Sequence, residues 1–496
     1  MKPFDKSILE AKANEIAPVE GFEASFLKAV RGFPFLLGEE LYLLLPSADN
    51  IFLADLLERQ YGRPPNIFLA EEDYIFELIQ KFYEIPPELE KETQEEEPED
   101  LELLKDLASE APVVRLVNRV IREAVEMRAT DIHFESERQG LRIRYRIDGL
   151  LHEIATHPRK IAAPVISRLK LMAGLNIAEH RLPQDGRIRF RVGGEDLDIR
   201  VSTMPAVTGE SVVLRLLARR KGFLTLEKLG LEPEHYQIFL DLISQPNGII
   251  LVTGPTGSGK TTTLYAALSV LNKPDRKIIT IEDPVEYQLQ GITQIQIKPQ
   301  IGLTFAQALR SILRHDPDVI LVGEIRDLET AEIAIQAALT GHLVFSTLHT
   351  RDALGAAVRL ADMGVEPYLI AASTVGLVAQ RLVRVLCDKC AEEVAPPEEF
   401  LAWLERLPSL PEKVLYRRPV GCPHCAGTGF YGRIAIYEIY PVDGKLRRLI
   451  LRQATEEELK DWARERGYLS LFQDGLRKVA KGITSLEEVL RVSGGN

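Results

Sequence analysis

Residues Gly248 to Leu264, GIILVTGPTGSGKTTTL, leave a chain few ways to fold. The aliphatic run Ile249 to Val252 reads as a buried strand, the spacing Gly254-x-x-x-x-Gly259-Lys260-Thr261 as a phosphate loop, and Leu264 to Leu271 as a helix. A strand feeding a glycine-rich turn and then a helix belongs to an α/β layer built on a mainly parallel sheet. The glycines let successive backbone N–H groups turn inward around phosphates, and the positive end of the following helix adds to the field. Gly254, Pro255, Thr256, Gly257, Ser258, Gly259, Lys260, Thr261 and Thr262 are therefore the candidate nucleotide-binding residues. Lys260 is expected to reach the β- and γ-phosphates and the Thr261 hydroxyl to ligate Mg²⁺. The alternative is a glycine-rich turn that merely matches the spacing; the flanking strand and helix count against it. The expected chemistry is hydrolysis of a nucleoside triphosphate, and the loop is silent on what that hydrolysis drives.

At 496 residues the chain has the length of about three or four domains. Its nearest approach to a membrane span, Tyr368 to Val383, is broken by Ser373, Thr374, Gly376, Gln380 and Arg381, and is expected to be a buried core helix. The start, MKPFDKSILEAKANE, carries charge throughout and has no apolar signal core, which points to the cytoplasm. The net charge of −12 is unevenly spread: residues 1–112 hold 26 acidic against 10 basic side chains, a net of −16, leaving +4 for the rest.

Residues 1–85 mix short apolar segments (Phe33 to Leu37, Leu41 to Leu45, Ile51 to Leu57) with turn signals and no catalytic constellation, so a docking module or a structural cap is expected there. Glu88 to Glu102 is too charged to build a core, and 86–112 reads as an acidic flexible linker. From Val113 an amphipathic helix begins, with Val113, Leu116, Val117, Val120, Ile121 and Val125 at helical spacing. In Leu141 to Ile147 apolar residues alternate with Arg142, Arg144 and Arg146. Similar alternation returns in Arg187 to Val192 and in Leu197 to Val201, and Arg215 lies in a fourth strand, SVVLRLL. Residues 113–222 thus form an arginine-rich α+β domain with a cationic sheet face, which is either solvated surface or a dock for a polyanion.

Residues 223–386 are the nucleotide domain. Lys277 to Ile281 is a buried-strand run ending in Glu282, Asp283 and Glu286, where a water-activating group or a metal-shell ligand belongs. Val319 to Val322 ends in Gly323-Glu324, which places a second carboxylate near Mg²⁺. His342 and His349 flank the run Leu343 to Leu348; they are either ordinary satisfied histidines or, by position, readers of the γ-phosphate. All four cysteines fall in two pairs, Cys387-x-x-Cys390 and Cys422-x-x-Cys425, so 387–430 reads as a structural Zn²⁺ site; disulfides or a redox pair are the alternatives. Residues 431–496 are helical by pattern, with caps at Thr455 and at Thr484-Ser485.

The phosphate loop GPTGSGKTTTLYAAL, the acidic stretch TIEDPVE, the strand DPDVILVGEIRD and the histidine stretch TGHLVFSTLHT, in that order, resemble the secretion ATPases of the type II and type IV pilus superfamily. The resemblance extends through RATDIHFE, RYRIDG, PQDGRI and DIRVSTMP upstream and through QRLVRVLCDKC, GCPHCAGTGFYGRIAIYE and DGLRKVAKGITSLEEVL downstream, about residues 110 to 495. It implies a RecA-like phosphate-loop core joined to an α+β (PAS-like) domain, a tetracysteine zinc insert and a helical C-terminal part. It further implies a cytoplasmic homo-hexamer at the inner membrane that hydrolyses ATP with Mg²⁺, works on an inner-membrane platform protein, and drives export or pilus assembly. On this resemblance Glu286 polarises the attacking water with support from Glu282 and Asp283, and Glu324 belongs to the metal shell. His342 and His349 read the γ-phosphate, and Arg200 and Arg215 reach the phosphates; Arg310, Arg314 and Arg326 are further candidates. A short first module with an acidic tether is more similar to type II secretion ATPases, whose first module docks on an inner-membrane partner, than to pilus motors. No nucleic-acid partner is expected, although a RecA-like nucleic-acid motor is the competing class.

Overall fold

A computed structural model describes residues 2–3, 16–19, 22, 24–38, 40–47, 52–83, 111–192, 194–217, 225–409 and 413–494. The acidic linker lies outside these residues except for its last two. Three large sheets organise what is described. The first, from Lys2–Pro3 and the strands of residues 16–69, encloses its own core of Phe33, Phe35, Leu43, Leu57 and Ile79. The apolar segments at 33–37 and 41–45 become adjacent antiparallel strands, and 52–61 becomes a helix.

The second sheet is antiparallel and runs Leu150–His157, Leu141–Ile147, Ala129–Ser136, Gly209–Leu217, Glu195–Ala206, Gln184–Val192. Its apolar face packs against the helix Ala111–Glu126, whose Val113, Leu116, Val117, Val120 and Ile121 are all buried, and against the helix Ala162–Ala173. The strand Ala129–Ser136, in which Ile132 and Phe134 alternate with Asp131, His133 and Glu135, corrects the expected cationic face. Its Asp131 receives the Arg215 guanidinium at 2.9 Å and lies 3.7 Å from that of Arg146, while its Glu135 pairs with Arg144 at 2.5 Å and with Arg142 at 3.4 Å. Two carboxylates of the sheet thus pair with four of its arginines.

The third sheet is ordered Thr293–Gln296, Ile278–Glu282, Val319–Val322, Leu343–Leu348, Gly248–Thr253, Thr374–Leu386, Phe430–Pro441, parallel except at its last pair. Ile249 and Leu251 enter the core on one face and Ile250 and Val252 the core on the other, as a parallel strand covered on both sides requires. The stretch Tyr368 to Val383 departs from expectation. It is helical only over Pro367–Ser373, and from Thr374 it is a strand beside Gly248–Thr253. Its β-branched residues and Gly376, packed against Leu242, suit a strand better than a helix. C-terminal helices cover one face, and Thr455 and Ser485 cap two of them as their sequences indicate. No helix among the described residues is long and apolar enough to cross a membrane.

Candidate functional site

The central parallel strands of the third sheet end near one level, and Thr374–Leu386 runs on past it. Thr253 is paired with Leu348 and with Ala379, Ile281 with Val322, and Val322 with Ser346. Residues 254–259, Glu282, Gly323-Glu324, His349 and Gln380-Arg381 therefore gather at the carboxyl edge, where ligands of such sheets bind. The helix Lys260–Leu271 starts there, and its first N–H groups have no acceptor within the helix. Glycine is required at two positions: Gly254 (φ 150°), where a Cβ would lie 2.5 Å from the Gln380 carbonyl, and Gly259 (φ 88°), where it would lie 2.7 Å from Gln380 Nε2. Gln380 also accepts a hydrogen bond from Thr263 Oγ1 at 2.8 Å. The neighbouring strand thus moulds the loop.

Lys260 Nζ donates to the carbonyls of Gly254 (2.7 Å) and Pro255 (3.1 Å). Burial, with the Arg381 guanidinium nearby, lowers its ammonium to about 8. Arg381 is held by the carbonyls of Gln380 (3.0 Å) and Arg351 (2.5 Å) and faces the carboxylates of Glu438 and Asp352. Burial and Asp352 raise buried Glu438 to about 7. Neither Gln380 nor Arg381 stands out in the sequence as a site residue, because the stretch reads as a helix; the QR pair after an apolar run is the signal that locates them.

Glu324 pairs with Arg326, and its other oxygen is 3.9 Å from His349 Nε2. Burial and the Lys260 charge hold His349 below the usual histidine value, so it is neutral at pH 7. Asp283 adds its charge beside Arg326. Glu282 is buried and fully engaged: Tyr265 Oη, Thr280 Oγ1 and Gln294 Nε2 all donate to it. It holds the acidic turn in place, leaving Asp283 and Glu286 as the exposed carboxylates. His342 is not brought to this edge. It precedes its strand, with roughly 20 Å of strand between it and His349, and its Nδ1 is 2.8 Å from the Ala337 carbonyl at the end of a helix. Arg200 and Arg215 stand opposite each other on the second sheet, and no hydrogen bond or ion pair among the described residues joins either to the loop. Arg310 pairs with Glu329, and Arg314 donates to the Arg310 carbonyl.

The lysine has a pH consequence. A bound triphosphate favours the ammonium and raises its pKa above about 8. The lysine's contribution to affinity should therefore fall as pH rises through that value, by up to about tenfold per unit. Calorimetry near pH 9 in buffers of different ionisation heat should register uptake of a proton on binding; none would contradict the shift.

The four cysteine sulfurs lie within 4.8 Å of one another. The pairs Cys387–Cys422, Cys390–Cys425 and Cys422–Cys425 are each 3.8 Å apart, the edge of a tetrahedron with metal–sulfur bonds of about 2.3 Å. Backbone N–H groups of Gly421, Cys422 and Gly429 point at sulfurs at 3.2–3.3 Å. Burial works to raise the Cys425 thiol, but the Cys422 and Gly429 N–H groups bring it down to about 7. The set fits a closed Zn²⁺ site. Elemental analysis of reduced protein should find about one zinc per chain, and its removal should loosen residues 387–430; metal-free protein with an intact hairpin would contradict this.

The model of the family described as Type II/IV secretion system protein matches residues 106–491. Type II secretion system protein E of Xanthomonas campestris is 56% identical over 397 residues, 80% of this chain and 70% of the relative. The protein of the same description in Pseudomonas aeruginosa is 45% identical over 491 residues, 96% of this chain and 97% of its own. Among solved structures, the Legionella pneumophila ATPase DotB aligns with a TM-score of 0.57 at 22% identity, over 77% of this chain and 96% of that one, a likeness of fold.

Proposed function

The chain belongs to the Type II/IV secretion system protein family, and from that membership we propose that it is the ATPase that drives protein export by a type II secretion system. It hydrolyses ATP. The observation that carries the reading is the convergence of the phosphate loop, Glu324, His349 and Arg381 at one sheet edge, in a chain whose second sheet presents Arg200. Mg²⁺, when bound, neutralises phosphate charge, and Thr261 and Glu324 are the residues that would hold it. Backbone N–H groups of 256–262 and the Lys260 ammonium bind the phosphates. Glu286 orients the attacking water, Asp283 supports it, and neutral His349 donates or accepts at the γ-phosphate edge. Arg200 and Arg215 complete the site from the other lobe, residues 113–222 moving against 223–386.

Assembly follows from that division of labour. A homo-hexamer at the cytoplasmic face of the inner membrane, tethered through residues 1–85 to a membrane partner and acting on a platform protein, converts lobe closure into movement of the apparatus. ATPase activity should rise with assembly by about two orders of magnitude, because the guanidinium groups must be preorganised around the phosphates. Turnover measured across protein concentration, with mass determined in parallel, checks this; a monomer working at full rate would contradict it. Stimulation by DNA with a steep salt dependence would instead favour a nucleic-acid motor.

A further inference from the structure

The tetracysteine hairpin touches the arginine-bearing sheet through a short stack of rings and charges. Tyr431, at the start of the strand Phe430–Pro441, has the Arg128 guanidinium 3.5 Å above one face of its ring. Against Tyr431 lies the His424 imidazole, nearly parallel at 7° with centroids 4.4 Å apart. His424 sits between the two ligand residues Cys422 and Cys425, in a single turn fixed by those sulfurs. One residue on, the Gly432 N–H donates to Asp148 Oδ2 at 3.1 Å, and Asp148 also lies 3.7 Å from Arg433 and 3.8 Å from Arg128.

The two residues on the far side both have left-handed backbone. Arg128 follows the helix Ala111–Glu126 at φ 59°, a helix-ending position that glycine ordinarily fills. Asp148 (φ 48°) and Gly149 form the two-residue turn between Ile147 and Leu150. The Arg128 side chain lies over the face of Tyr431.

We propose that this stack is a latch that couples metal loading of the tetracysteine hairpin to the position of the arginine-bearing sheet. A metal bound by Cys422 and Cys425 fixes His424; His424 fixes the Tyr431 ring; and the ring and the Gly432 N–H hold Arg128 and Asp148. The hairpin then does more than stabilise itself: it sets the resting orientation of the lobe that supplies Arg200 and Arg215. The metal half of this proposal rests on the zinc reading above, whereas the contact itself does not.

Hydrogen exchange read by mass spectrometry on the full chain tests it, with zinc loaded and after removal by a chelator, and with zinc content measured in the same samples. In the wild type, zinc removal should speed exchange in peptides covering 126–150 by about fivefold, together with 387–432. Tyr431→Leu should show that faster exchange at 126–150 with zinc still bound and no further change on removal, while Tyr431→Phe, which keeps the ring, should behave as wild type. Should Tyr431→Leu fail to fold, Arg128→Gly removes the cation at a position glycine tolerates and should give the same result. Unchanged exchange at 126–150 in these variants overturns the contact. A wild type in which zinc removal frees 387–432 alone, or a chain that binds no zinc, overturns the coupling to metal and leaves the variants to decide the contact.

Discussion

Lys260→Ala is expected to reduce ATP turnover by at least about a hundredfold and to abolish nucleotide binding with it. The charge at this position has no substitute within the loop: Arg381, the other nearby cation, is committed to the carbonyls of Gln380 and Arg351 and faces the carboxylates of buried Glu438 and half-buried Asp352. Equilibrium binding of a fluorescent ATP analogue, beside a steady-state assay, separates the two effects. A variant that bound normally but turned over slowly would assign Lys260 to the reaction step alone.

Loss of either Arg200 or Arg215 should act the other way, on turnover far more than on binding of the diphosphate. Guanidinium groups delivered from a second lobe to a transferring phosphoryl group are worth on the order of a thousandfold or more in kcat. Arg200→Ala and Arg215→Ala should therefore each lower kcat by about that factor while ADP affinity moves little. Lysine should rescue poorly, since a point charge cannot reproduce the planar fork. Arg215 starts from an ion pair with Asp131 at 2.9 Å, so it has to exchange that carboxylate for phosphate. Asp131→Asn should consequently be far milder than either arginine variant. Equal kcat losses for Asp131→Asn and Arg215→Ala would point to a structural role for the pair.

The parts of the site made by consecutive residues were legible in the sequence. Gly254 to Thr261 declares its backbone through spacing alone, and two short cysteine knuckles declare a tetrahedral site because each closes on itself. The strands with arginine at every second residue were legible for the same reason. What escaped was set by neighbours. Asp131 and Glu135 pair with four of the arginines from ATDIHFES, a strand whose alternation rests on only two large apolar residues, Ile132 and Phe134. Gln380 and Arg381 were obscured because a long apolar run reads equally as helix or buried strand; its pairing with Gly248–Thr253 decides the matter. His342 and His349 look equivalent on either side of one strand, but a strand has a direction, and only the residue after Leu348 reaches the carboxyl edge. Glu282, apparently one of three similar carboxylates, is distinguished by Tyr265, a residue 17 positions earlier whose hydroxyl occupies it.

The most direct test of the account is the structure of the assembled protein with Mg²⁺ and a non-hydrolysable ATP analogue. The β- and γ-phosphates should lie against residues 254–261, with Glu324 on the metal side and both Arg200 and Arg215 within hydrogen-bond reach of phosphate oxygens. A nucleotide seated elsewhere, or one seated in the loop with Arg215 still paired to Asp131 and Arg200 out of reach of phosphate, would contradict it.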